Sequence, residues 1–261
     1  MLDDQRYADA VSPYLWLWTE GGRHDADFAA ERYDLLVDDL IELVENHVRV
    51  RRPLRRLRDA AAAALRDGDG TRRDFDDWMW LNHILDDTAQ TLAWFDRTKD
   101  NPAAEQARLD HLDSIEYALV GHDRYADLLR LYPDVIAFVE GEKRTLRDGL
   151  ADLPDDPAEA DTYRGYLRDD YRYRIGIIYA AALEAGREED ARRIVALAAA
   201  EDDTVALRAW LVDHALWAGQ PRPEHRDWLR EAAPDDEVAD LRAELDALLT
   251  GPAEASPQPA P

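Results

Sequence analysis

DADFAAERYDLLVDDLIELVENHVRV, residues 25 to 50, places Phe28, Tyr33, Leu36, Leu40, Leu43 and His47 three to five residues apart behind Asp25. Spacing near the helical repeat predicts an amphipathic helix, with the aspartate positioned to accept from its first free backbone N–H groups. The same pattern continues in both directions. Pro53 suits the first turn of a second helix ending near Gly68, and DGDG at 67–70 reads as a loop. DFDDWMWLNHILDDTAQTLAWFDR, residues 74–97, carries one stripe of Phe75, Trp78, Leu81, Leu85, Ala89, Leu92 and Phe95 and predicts a continuous helix. Asn101 and Pro102 open a further helix running to Val120 and stopping at Gly121. A short helix ends at Tyr132, before Pro133, and another spans about 134–153.

PDDPAEA, residues 154–160, is the expected internal boundary, and beyond it helices are expected at about 158–185, 187–200, 203–218, 222–232 and 235–249. No Asn-Gly pair and no sustained alternation of apolar and polar residues argues for strands. The expectation is an all-α chain: an antiparallel helical bundle over residues 1–153, then an array of helical hairpins over 158–250. GPAEASPQPAP, residues 251–261, has four prolines and no large apolar side chain, and is expected to be a disordered tail.

The 261 residues hold 57 Asp+Glu against 32 Lys+Arg, a formal charge of -25, yet 46% are hydrophobic and eight are Trp. Such a chain can bury a core. Only Lys99 and Lys143 are lysines, and 39 of the acids are Asp. This bias fits a salt-adapted, densely hydrated carboxylate surface. A rival reading is that the surface mimics nucleic-acid phosphate; in either case the field disfavours direct binding to nucleic acid. Without cysteine there are no disulfides or thiolate metal sites. The longest apolar run, Ile175–Leu183, is far below the roughly 20 residues of a membrane span, so a soluble cytoplasmic protein without membrane partners is expected.

Turn glycines suggest a repeat. YALVGHDRYADLL and LEAGREEDARRIV superpose on Gly121 and Gly186, with Ala126 and Ala191 five residues later. Gly219 follows Gly186 by 33 residues, and Pro154 follows Gly121 by the same interval. The stretch of roughly 118–220 resembles tetratricopeptide-type helical hairpins, carried by Ala182, Gly186, Ala191 and Ala198. It departs from that pattern at Ile175 and Tyr179, where the family prefers Trp and Gly, and at Pro221 and Glu224. The resemblance implies helical hairpins that bind protein partners.

Two clusters are candidate binding surfaces. RVRRPLRRLR, Arg49–Arg58, has six arginines in ten residues, among them Arg51, Arg52 and Arg55. Arginine favours planar, bidentate partners such as carboxylate or phosphate, while pairing with Asp38, Asp39, Glu42 and Glu45 is the structural alternative. YRGYLRDDYRYR, residues 163–174, can set Tyr163, Tyr166 and Tyr173 on one helical face and Arg168 and Arg172 on others, either as an aromatic, cationic groove or as a half-buried packing face.

Chemistry is harder to find. His83, Asp87 and His111 could supply metal ligands, but no HExxH or ExxH pair accompanies them. Ser12 and Ser114 lie outside any nucleophile motif, and no phosphate-binding glycine loop occurs. No cofactor and no catalytic residue is therefore expected, and the reading is a non-catalytic interaction or scaffold protein that binds a partner or itself. Its alternatives are a metal-dependent enzyme with a scattered site and a nucleic-acid-associated factor using Arg49–Arg58. Trp16 and Trp18 lie two apart, as do Trp78 and Trp80, so one of each pair should be exposed or covered by a second layer.

Overall fold

Left-handed residues punctuate the helices of this chain. The computed structural model describes residues 11–230 and 236–250; the expected tail, 251–261, lies outside the described residues. Among the described residues there is no strand, and the fold is all-α. The helices used below are α1 (Ala26–Asn46), α2 (Arg51–Asp67), α3 (Arg72–Ile84), α4 (Thr88–Thr98), α5 (Glu105–Asp110), α6 (Leu112–Val120), α7 (Tyr125–Leu128), α8 (Val135–Ala151), α9 (Pro157–Glu184), α10 (Glu188–Ala199), α11 (Val205–Trp217), α12 (Pro223–Arg230) and α13 (Asp236–Thr250).

Gly68, Asp86, Asp123, Gly186 and Gly219 all have φ between 54° and 83°. In each case the next residue's N–H donates to a carbonyl five residues back: Asp69 to Ala64, Asp87 to Asn82, Arg124 to Leu119, Arg187 to Ala182 and Gln220 to Ala215. A left-handed residue with this bond closes a helix and satisfies carbonyls that would otherwise be orphaned. The turn at Asp86 divides the expected 74–97 helix into α3 and α4. The segment expected as one helix from Asn101 to Val120 likewise breaks at His111. Gly121 is not the left-handed residue of its turn; Asp123 is, so Asp123 rather than Gly121 is the counterpart of Gly186.

The chain forms two compact units, Met1–Ala118 and Leu119–Pro261, rather than parting at residues 154–157. The reason is that α8 packs on α9 and α10, so Pro154–Pro157 is a turn inside the second unit.

In the first unit, Leu36, Leu40 and Val44 of α1 are buried with Trp18, Leu54 of α2, and Leu81 and Ile84 of α3. Side-chain donors reach the carbonyls of Trp18 and Thr19 in a π-helical turn, Leu17–Gly21. Arg32 donates to Trp18 O at 3.0 Å, and Arg73 donates to both carbonyls at 3.2 and 3.1 Å. Buried Arg32 also donates to Asp77 at 2.6 Å, and Tyr33 donates its hydroxyl to the same carboxylate at 3.1 Å.

The second unit is built around α9. Residues Ile175–Leu183 are buried on every side of the helix, which explains why this run has no polar face. Helices α7, α8, α10 and α11 contact it. Ala182, Ala191 and Ala198 are buried where small side chains let helices approach closely.

Candidate functional site

The first half of α9 is prepared by its cap. Asp156 accepts from Ala158 N at 2.9 Å and Glu159 N at 3.1 Å, and Pro157 follows at the first helical position. Leu167 lies against Gly149 of α8, where an added Cβ would come within 2.9 Å of its methyls. Nearby on the same helix, Tyr163 and Tyr166 are 40% and 63% exposed, with ring centroids 6.2 Å apart and planes inclined by 16°. Arg164 is tied to Asp161 at 2.9 Å. Arg168 is exposed and makes no ion pair among the described residues.

Arg172 and Tyr173 do not belong to this exposed surface. Arg172 donates to Asp202 at 2.7 Å and to Asp169 at 2.9 Å. Tyr173 is half-buried against the rings of Trp210 and His214, at 6.2 and 5.2 Å. The periodicity that groups Tyr166 with Tyr173 holds, but α11 covers that face at Tyr173. Sequence spacing defines a face and not what lies over it.

The arginine-rich stretch opens α2. Arg58 is buried and holds Asp59 at 2.7 Å as well as Asp87. Arg49, Arg51, Arg52, Arg55 and Arg56 make no ion pair among the described residues, so the expected pairing with Asp38, Asp39, Glu42 and Glu45 is not formed. Asp39 instead accepts from Tyr14 at 2.8 Å.

His83, Asp87 and His111 do not form one centre. Asp87 is engaged by Arg58, and His111 Nε2 lies 2.9 Å from Asp76. Burial works against ionisation of Asp76, but its hydrogen bonds to His111 and Arg72 prevail and hold its carboxyl below the ordinary value. His83 packs edge-on against Tyr117 at 4.6 Å, and burial pushes its pKa down. Among the described residues no group of three or more His, Asp or Glu is placed to hold a metal. Ser114 is buried, and its hydroxyl has no hydrogen-bond partner among the described residues.

The tryptophans divide as their spacing requires. Trp18 is buried and Trp16 is 50% exposed, stacked on His24. Trp78 and Trp80 are both largely covered, Trp80 by Tyr33, which provides the second layer.

The aromatic surroundings of His214 and His225 were not legible as a cluster. His214 is surrounded by the rings of Tyr125, Tyr173, Trp210 and Trp217. His225 accepts at Nδ1 from Arg222 N, and its Nε2 lies 2.9 Å from the Tyr179 hydroxyl. The available signal was local: His214 sits four after Trp210 and three before Trp217, and His225 three before Trp228.

No helix among the described residues is long and apolar enough to cross a membrane. No protein-family model, curated protein or solved structure matches the chain.

Proposed function

We propose that this chain is a non-catalytic interaction protein that presents the first half of α9 to a protein partner. The observation carrying this is the stacked, exposed pair Tyr163 and Tyr166. Tyrosine is enriched among the side chains that carry binding energy, because it supplies rigid ring area and a polar handle at low cost in conformational entropy. The second unit is read as a hairpin array of tetratricopeptide type, in support of which α9 contacts both α10 and α11. The test is affinity capture and sedimentation of the parent beside a Tyr163→Ser/Tyr166→Ser variant of equal helicity. Loss of a specific captured protein, or of self-association, supports the proposal; the same captured set and the same sedimentation for both rejects it.

One observation favours a second reading, a factor that binds polyanions such as nucleic acid. Arg49 and the four arginines Arg51, Arg52, Arg55 and Arg56 at the start of α2 have no acidic partner among the described residues. Binding to single- or double-stranded nucleic acid would weaken steeply with salt and vanish on Arg51→Glu/Arg55→Glu replacement. The acidic surface is read as salt adaptation, since -25 charges repel one another less when screened. Helicity would then fall on dialysis into low salt; undiminished stability there would refute it.

A further inference from the structure

We propose that the cavity between α2, α3 and α4 is a binding site for a small molecule with a flat, apolar ring body and one anionic group. The cavity measures about 730 Å³ and lies wholly within the first unit. That is within the roughly 300–1,000 Å³ of small-molecule sites.

Aromatic rings form its apolar wall. Phe75 lies 5.2 Å from Trp94 and 6.0 Å from Trp78, ring centre to ring centre, and all three line the space. Their faces favour offset or edge contact with another ring system. Arg66 of α2 and Arg97 of α4 line the same cavity. Both are exposed, and neither makes an ion pair among the described residues. In a chain whose acids outnumber its bases so heavily, two free guanidinium groups beside an aromatic wall select an anion over a cation. The carboxylate in the lining, Asp59, is already paired with Arg58.

The frame around the space is held independently of any ligand. Buried Arg58 bonds Asp59 on its own helix and Asp87 at the start of α4, and Gln90 donates to Asp87 at 3.3 Å. The left-handed Asp86 sets the break between α3 and α4. Without that break, Trp94 and Phe75 would lie along one straight helix instead of on two walls of a cleft. The site is thus preorganised, which lowers the entropy cost of binding.

The proposal is independent of the α9 surface and is tested on the full chain with two fluorescent probes. 1-Anilinonaphthalene-8-sulfonate carries rings and an anion; N-phenyl-1-naphthylamine has the same rings without the charge. The sulfonate is expected to bind saturably, one per chain. Arg66→Gln/Arg97→Gln should weaken it about tenfold or more, the scale of one charge-assisted hydrogen bond, while leaving the neutral probe within about twofold. Ala62→Trp, placed in the wall of the cavity, should weaken both probes. Non-saturable binding, no binding of the sulfonate by the parent, or equal loss of both probes on removing the arginines would overturn the proposal. The arginine variants change only exposed side chains, so the result stands even if Ala62→Trp fails to fold.

Discussion

A Cβ on Gly176 of α9 would lie 2.2 Å from Cδ2 of His214 on α11. The two helices therefore meet where one has no side chain and the other inserts an imidazole. Alanine normally favours a helix over glycine by about 1 kcal/mol, but overpacking a buried contact costs about 1–3 kcal/mol. At Gly176 the clash wins. Gly176→Ala is expected to lower unfolding stability, whereas Gly165→Ala, with nothing within 4 Å, should raise it. Denaturant melts of the two variants giving the same sign would contradict this account.

The same imidazole makes stability depend on pH. Burial pushes His214 down to about 4, and burial together with Arg222 does the same for His225. Both pKa values are depressed, so from about pH 6.5 down to about 4 the unfolded chain binds protons that the native chain does not. Stability should fall as pH falls, by about 1.4 kcal/mol per unit for each histidine. Asp77, Glu142, Asp170 and Asp213, whose carboxyls burial pushes up, act in the opposite sense. The check is therefore a difference: between pH 6.5 and 5, His225→Gln should give a shallower loss than the parent. Parallel curves would show that His225 is protonated without penalty.

Arg32 and Asp77 form an ion pair with side chains only 4% and 16% exposed. Burial raises the Asp77 pKa although Arg32 opposes it, which shows how costly the isolated carboxylate would be. Arg32→Met should destabilise by about 3 kcal/mol, because it leaves the buried carboxylate only the Tyr33 hydroxyl at 3.1 Å and the more distant Arg73 at 3.7 Å. Adding Asp77→Leu should recover most of the loss. If the double variant is no more stable than the single, the cost comes from the contacts Arg32 loses with the Trp18 carbonyl and ring and not from the charge.

The turn residues give a paired test as well. Asp123 is left-handed at φ 54°, a conformation that glycine adopts without penalty. Asp123→Gly should leave stability unchanged or raise it by up to about 1 kcal/mol, and Gly186→Ala should lower it by about 1 kcal/mol. Thermal melts in which Gly186→Ala is neutral would mean that this turn relaxes out of the left-handed region.

The one-dimensional pattern determined that helices form and where most of them lie. Residues 158–185 were expected to be helical and α9 spans Pro157–Glu184; the segment expected at 203–218 is α11, Val205–Trp217. These limits were legible because caps, prolines and apolar periodicity are local properties of the chain. The break at Asp86 leaves no such local mark: the apolar spacing of residues 75–95 runs straight through an aspartate whose φ is positive. Only tertiary packing decided that α8 joins the second unit, that α11 covers Tyr173 but not Tyr166, and that Asp87 serves Arg58 rather than a metal. Those outcomes depend on which distant surfaces meet, and spacing along the chain carries no record of that. Phe75 and Trp78 belong to the apolar stripe of the sequence, but Phe75 meets Trp94 only because the helix breaks at Asp86.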